Sequence, residues 1–254
     1  MGLPRVNDTL NFSMTIPSSG QKVKYRPYLV KEEKILLQAF ESKDTVTCLQ
    51  AMCDTISACL DEEENIDVPT LATFDIEYMF MQLRAKSVGE SSDISVKCKK
   101  SECSRANNVS VDLESLSVDV SNKDNIIKIN DAISVELGYP TYENMIKGEK
   151  LRTEEYGRGH KKNKGAKEAE ELSGVFQVIA SSIIAVLTED ERIDCRNQQP
   201  KEVMAFLDSM TAGQLQLLAT FFEDMPALKH TIEFDCKHCG THNELELKGM
   251  SDFF

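Results

Sequence analysis

Two short cysteine pairs, set far apart in the chain, constrain the fold more than any other feature. The first lies in "ISVKCKKSECSRANNVSVDL" (94–113), where Ile94 and Val96 alternate into Cys98, a turn reaches Cys103, and Val109, Val111 and Leu113 alternate back out. The second lies in "IEFDCKHCGTHNELEL" (232–247), with Cys236 and Cys239 between two further alternating runs. Period-two alternation on both sides of a polar turn predicts a β-hairpin in each case, over 93–118 and 229–248. The spacings C-x4-C and C-x2-C are those of structural zinc, which takes four soft or borderline ligands in a tetrahedron, usually as two short-spaced pairs. Amides at a hairpin tip stabilise thiolate charge, and Gly240 accepts the positive φ such turns require.

The reading that follows is a zinc ribbon closed by Cys98, Cys103, Cys236 and Cys239. Because residues 104–235 separate the pairs, the whole fold has to bring the two hairpins side by side. Such a zinc is structural, since four protein thiolates leave no open position for water or substrate. The spacing leaves two alternatives open: four reduced thiols on two hairpin tips, or a redox dithiol at "CKHC". Redox C-x-x-C motifs draw their reactivity from a helix N-terminus, and this one sits between strands. His230, His238 and His242 surround the second pair and read as surface residues, because cysteine is available on both sides.

With 254 residues the chain can bury roughly 70–75% of its unfolded surface, so its 8 cysteines are not needed as disulfide staples. The N-terminus, "MGLPRVNDTLNFSMTIPSSG", has neither a basic nor an apolar signal region, and no run of 18 apolar residues occurs. A reducing cytoplasm is therefore expected, with no membrane association. Val6 breaks the N-myristoylation pattern that "MGLPRV" begins. A formal charge of -13 argues against duplex nucleic acid as the main partner. The local exception is "RGHKKNKGAK", with Arg158, Lys161, Lys162, Lys164 and Lys167, inside a charge- and glycine-rich stretch over 148–168. It reads as an exposed basic loop, either simply solvated or docking an acidic protein surface.

The remaining pattern predicts an N-terminal hairpin over 10–28, with Phe12, Met14 and Ile16 answered by Val23 and Tyr25. A helix follows with Leu29, Ile35, Leu36, Ala39 and Phe40 on one face, then a second over 45–60 capped by Asp44 and carrying Cys48, Cys53 and Cys59 as small buried hydrophobes. A third helix is expected from Pro69 to Gly89, short strands at "NIIKIN" and "ISVELGYP", and a short helix opened by Pro140. An apolar helix over 172–187 and two more before Pro226 complete the set, the last capped by Thr211. The expected class is α+β: one mostly helical domain over 1–254, with three hairpins and no linker between independent cores.

No nucleotide-binding, zincin or nucleophile-elbow motif occurs, and 4 histidines are thin material for acid–base catalysis. The acidic clusters "DEEEN" (61–65) and "EDER" (189–192) read as solvated helix ends or loops. The chain is not expected to be an enzyme.

Four blocks carry a resemblance: "RPYLVKEEKILLQAFES" (26–42), "FDIEYMFMQLRAKSVGE" (74–90), "FFEDMPALKH" (221–230) and "LKGMSDFF" (247–254). In this order they resemble the T4-like bacteriophage baseplate hub subunit family, which includes small hub proteins and hub assembly factors. The resemblance implies a non-enzymatic late viral protein whose partners are other baseplate hub and tail proteins. It would act in the host cytoplasm during assembly or be retained in the virion baseplate. It does not extend to the cysteines, so zinc rests on their spacing. Phe253 and Phe254 form an aromatic end that either inserts into a partner or packs back on the domain. Arg84, Lys86 and Glu90 are site candidates by membership in a matched block, or else internal ion pairs. A zinc-ribbon regulator contacting nucleic acid or polymerase through the basic loop is the alternative.

Overall fold

A computed structural model describes residues 11–42, 44–120, 124–146 and 176–249. The basic loop at 158–167, the end at Phe253 and Phe254, and the start of the helix expected at 172 lie outside the described residues. Contacts gather into two compact units, one of Met1–Val120 with Pro226–Phe254 and the other of Ser121–Met225.

In the first unit, β1 (Phe12–Thr15) and β2 (Lys22–Tyr25) pair so that Phe12 faces Tyr25 and Met14 faces Val23, as the alternation predicts. Helix α1 (Val30–Ser42) buries Leu36 and Ala39 but leaves Ile35 54% exposed, correcting its expected place on the inner face. The third member of the buried stripe is Glu32, four residues before Leu36. Its carboxylate accepts from the Leu29 amide at 2.9 Å and from Arg26 at 3.0 Å, which makes an acid tolerable there. Helix α2 (Thr45–Cys59) begins at Asp44, which accepts from the Thr47 amide. Cys53 and Cys59 are buried and Cys48 half-buried, with burial raising all three thiols, so they behave as small hydrophobes.

Pro69 opens a 3-10 turn, Val68–Thr70, rather than an α-helix. Leu71 and Ala72 are extended, and α3 (Thr73–Ser87) starts after them. Phe74, Ile76, Met79, Phe80, Met81, Leu83 and Ala85 are buried around much of its circumference, which makes α3 the central helix of the unit. From it the chain enters β3 (Ser91–Lys97) and β4 (Ala106–Asp112), an antiparallel hairpin running from Ser91 opposite Asp112 to Lys97 opposite Ala106. The last hairpin, β10 (Leu228–Asp235) and β11 (His242–Lys248), forms a three-stranded sheet with β5 (Ser117–Val118) on the open side of β10.

The second unit holds a four-stranded sheet in the order β6 (Ile126–Lys128), β7 (Ile133–Leu137), β8 (Ile183–Thr188), β9 (Arg192–Asp194). Its core joins Val135, Leu137, Ile183 and Val186 of the sheet to Ile179 and to Val203 and Leu207 of α4 (Pro200–Asp208), with Leu218 and Phe221 of α5 (Ala212–Glu223). Thr211 and Gln214 cap α5 reciprocally, as the Thr211 cap predicts.

One expected helix is half strand. Residues 176–182 are helical, but Ile183–Thr188 is β8, paired on one side with β7 and on the other with β9. An apolar run covered on both faces has no period of its own, so length and flanks favour helix. The β-branched Ile183, Ile184 and Val186 suit a central strand, and Ser181 and Ser182 turn their hydroxyls back to the Val178 carbonyl where the helix stops. The class is α+β as expected, while the emphasis on helix gives way to eleven strands in four small sheets among the described residues.

Candidate metal centre

The tips of the β3–β4 and β10–β11 hairpins meet. Cys98, Cys103, Cys236 and Cys239 bring their sulfurs within 4.8 Å of one another. Cys98 lies 3.8 Å from Cys239, and Cys103 lies 3.8 Å from Cys236, so each close pair spans the two hairpins. All four are free thiols. At a zinc–sulfur bond of about 2.3 Å, the edge of a regular tetrahedron is about 3.8 Å, which the two close pairs match, while the whole set spans up to 4.8 Å.

The two tips are built alike. In the first, the Cys98 amide donates to the Arg105 carbonyl at 2.9 Å; in the second, the Cys236 amide donates to the Thr241 carbonyl at 2.9 Å. The residue after the second cysteine turns left-handed in both, Ser104 at φ 43° and Gly240 at φ 69°. Serine carries a cost there that glycine does not.

An exchange of asparagines binds one tip to the other. Asn107, four residues after Cys103, accepts from the Lys237 amide at 2.9 Å; Asn243, four residues after Cys239, accepts from the Lys99 amide at 2.8 Å. Each returns its own NH2 to its home turn, Asn107 to the Arg105 carbonyl and Asn243 to the Thr241 carbonyl. Both are buried, at 3% and 1% exposure, and each is hydrogen-bonded at the oxygen that crosses. Cysteine spacing does not point to these two residues; the signal that does is the repeated Cys-x-x-x-Asn in "CSRAN" and "CGTHN".

Electrostatics in the cluster are uneven. Backbone amides of the second tip, that of His238 foremost, pull the Cys236 thiol down to about 6, and the Asn107 NH2, 3.5 Å from that sulfur, adds to the effect. Cys239 is lowered as well, chiefly by the Thr241 hydroxyl 3.2 Å away. At Cys103 the Arg105 amide also favours the thiolate, but desolvation and the neighbouring Cys239 and Cys236 sulfurs override it and hold the thiol at about 11. Four sulfurs this close cannot all carry charge unless a cation joins them, and a divalent metal ion is such a cation.

His238 and His242 are exposed and His230 is half-buried; none joins the sulfur cluster among the described residues. Lys86 binds Glu90 at 3.0 Å and also Glu114, and its ammonium stands 5.4 Å over the Phe12 ring, so this block residue serves an internal network. The Cys236–Cys239 turn joins two strands and lacks the helix N-terminus on which dithiol reactivity depends.

Fold and site together define an α+β protein whose two distant hairpins converge on a closed cluster of four cysteines that could bind a metal. The chain belongs to the T4 bacteriophage base plate protein family, whose model matches residues 9–254. Comparison with curated proteins and with solved structures returns no match. Membership makes it a phage baseplate structural protein, implies contacts with other tail or baseplate proteins, and favours a non-enzymatic role. No helix among the described residues is long and apolar enough to cross a membrane.

Proposed function

We propose that this chain takes part in building the central baseplate hub through protein contacts, as a resident hub component or as an assembly chaperone, and that zinc on Cys98, Cys103, Cys236 and Cys239 holds its contact-bearing unit in shape. The observation that carries the metal reading is the convergence of four sulfurs within 4.8 Å, with both close pairs at the 3.8 Å edge of a zinc–thiolate tetrahedron. The hub reading rests on family membership and on the four matched blocks. Zinc would supply a cross-link here and no chemistry at a substrate. The residues of the chain do the rest: the four sulfurs bind, the tip amides hold thiolate charge, and Asn107 and Asn243 fix one hairpin against the other.

Protein purified without added metal should contain one zinc per chain by atomic absorption, and Cys236→Ser should abolish it. Unchanged zinc in that variant removes the metal reading. For the hub reading, the protein should co-assemble with baseplate hub proteins in infected cells; its presence or absence in finished tails separates resident component from chaperone.

A further inference from the structure

The cluster of cysteines is ringed by cations. Segments 97–107 and 235–243 together hold five, Lys97, Lys99, Lys100, Arg105 and Lys237, against the two acids Glu102 and Asp235, whereas the rest of the chain holds 24 cations against 40 acids. Every one of the five is adjacent to, or two residues from, one of the converging cysteines, and every one is exposed. Among the described residues their one acidic neighbour is Glu102, at a loose 3.9 Å from Lys100. Arg105 reaches across the junction to within 3.5 Å of the His238 ring, so the two tips share one surface. Asp235 is engaged separately, 3.0 Å from His242.

We infer that this basic crown is a docking surface for an acidic patch on a protein partner, an inference that rests on the proposed reading of the chain as one that works by protein contact. Five lysine and arginine side chains gathered on two adjoining tips, on a chain otherwise strongly acidic, orient an encounter electrostatically and reject acidic surfaces everywhere else. Nucleic acid fits less well. No Phe, Tyr or Trp occurs in either segment to stack a base, the imidazoles of His238 and His242 being the only rings there, and the surrounding negative charge repels an extended phosphate backbone. A zinc–tetrathiolate centre would carry two net negative charges, sheathed by the tip amides; the crown outweighs it and points outward.

The test uses the full-length protein, its zinc content measured, with a fluorescent oligo-glutamate peptide as probe and a short DNA duplex as comparison. The peptide should bind at low salt and weaken steeply as salt rises. A variant combining Lys99→Glu, Lys100→Glu, Arg105→Glu and Lys237→Glu should keep its zinc and lose peptide affinity by about tenfold or more. Lys128→Glu with Lys201→Glu, a charge change of the same kind in the other unit, should leave affinity near wild type. Peptide binding by wild-type protein that proves zinc-free would support the crown while removing the zinc reading. The inference is overturned if wild type ignores the peptide, if the crown variant binds like wild type, or if DNA binds more tightly than peptide. It is also overturned if the crown variant loses zinc, because the cations would then serve the metal centre and not a partner.

Discussion

The two units solve the same problem by different means. The second is one continuous stretch, Ser121–Met225, with a single cysteine and a core of Val135, Leu137, Ile183, Leu207, Leu218 and Phe221. The first is assembled from two stretches separated by that entire unit, and the hairpins that meet in it touch at polar tips. Closing a long connection costs entropy that rises only slowly with length, but some interaction has to offset it. The tips present cysteines, lysines and serines, too little apolar surface for burial to do so. At the tips four convergent thiols and two crossing asparagines take its place, while the β5–β10 pairing and the buried Leu228, Ile232 and Leu247 hold the second stretch farther along. Where sequence distance is short, hydrophobic burial suffices; where it is long and the junction is small, directional bonds are needed.

Disabling the four-cysteine junction should break this contrast most visibly. Treating the protein with a strong chelator, or making Cys236→Ser, should cost several kcal/mol in the first unit, less than the about 10–16 kcal/mol apparent for isolated zinc-finger peptides because this unit has its own core. Hydrogen exchange should show β3–β4 and β10–β11 losing protection while β7 and β8 keep theirs. Equal loss in both units would refute the contrast, and no loss anywhere would mean the junction does not need its cysteines.

Core truncation should sharpen it from the other side. Phe80 is 1% exposed, stacked 6.5 Å from Tyr28 and edge-on at 6.0 Å to Phe40, so Phe80→Ala should cost about 3–5 kcal/mol. Leu218→Ala in the second unit should cost about 2–5 kcal/mol, since Leu218 is fully buried. Each loss should appear first in the amides of its own unit. One calorimetric transition moved equally by both would mean that the units unfold together as the single domain the sequence suggests.

The crossing asparagines test whether the likeness of the tips is energetic as well as geometric. Asn107→Ala and Asn243→Ala each strand one amide, that of Lys237 or of Lys99, and each should cost about 1–3 kcal/mol in urea unfolding. The two values should agree closely, and the double variant should depart from their sum because both act on one junction. A silent Asn243→Ala beside a costly Asn107→Ala would make the second tip a passive copy of the first.

Much of this architecture is legible in the amino-acid sequence. The cysteine spacings lead to the four residues that converge, because each short-spaced pair marks the tip of its own hairpin. Alternation locates all three hairpins of the first unit, and Asp44 and Thr211 mark two helix starts. What escapes is whatever depends on a partner distant in sequence. Ile183–Thr188 reads as helix until β7 and β9 flank it. Ile35 looks like core until Glu32 takes the inner stripe through Arg26 and the Leu29 amide. Asn107 and Asn243 are ordinary turn residues until each meets the opposite tip. The basic crown is masked by a more conspicuous run at 158–167 and becomes a patch only when residues 97–105 and 237 share a surface.

The smallest effect concerns a buried acid in the first unit. Asp75, in the first turn of α3, accepts from the Ser18 amide at 2.9 Å, and its other oxygen has no partner among the described residues. Burial raises its pKa above the usual carboxylate value despite the Ser18 bonds. The folded state therefore holds this proton more tightly than the unfolded state. Its contribution is fully present below the unfolded value of about 3.9 and is lost as pH rises through the folded value. Glu32 runs the other way: burial opposes its charge, but the Leu29 amide and the Arg26 and Lys31 side chains outweigh it and lower the pKa. Its contribution is present above about 4.3 and is lost as pH falls through the folded value. The two trends overlap in mild acid, so a variant is needed to separate them. Asp75→Asn keeps the acceptor for Ser18 and removes the titration, while placing an NH2 where the unpartnered oxygen sits. At matched zinc content the variant should be more stable than wild type at neutral pH by about 1 kcal/mol, with the gap closing as pH falls toward 4. A gap that stays constant with pH would show that Asp75 has the same pKa folded and unfolded, so that its burial does not disfavour the charged form.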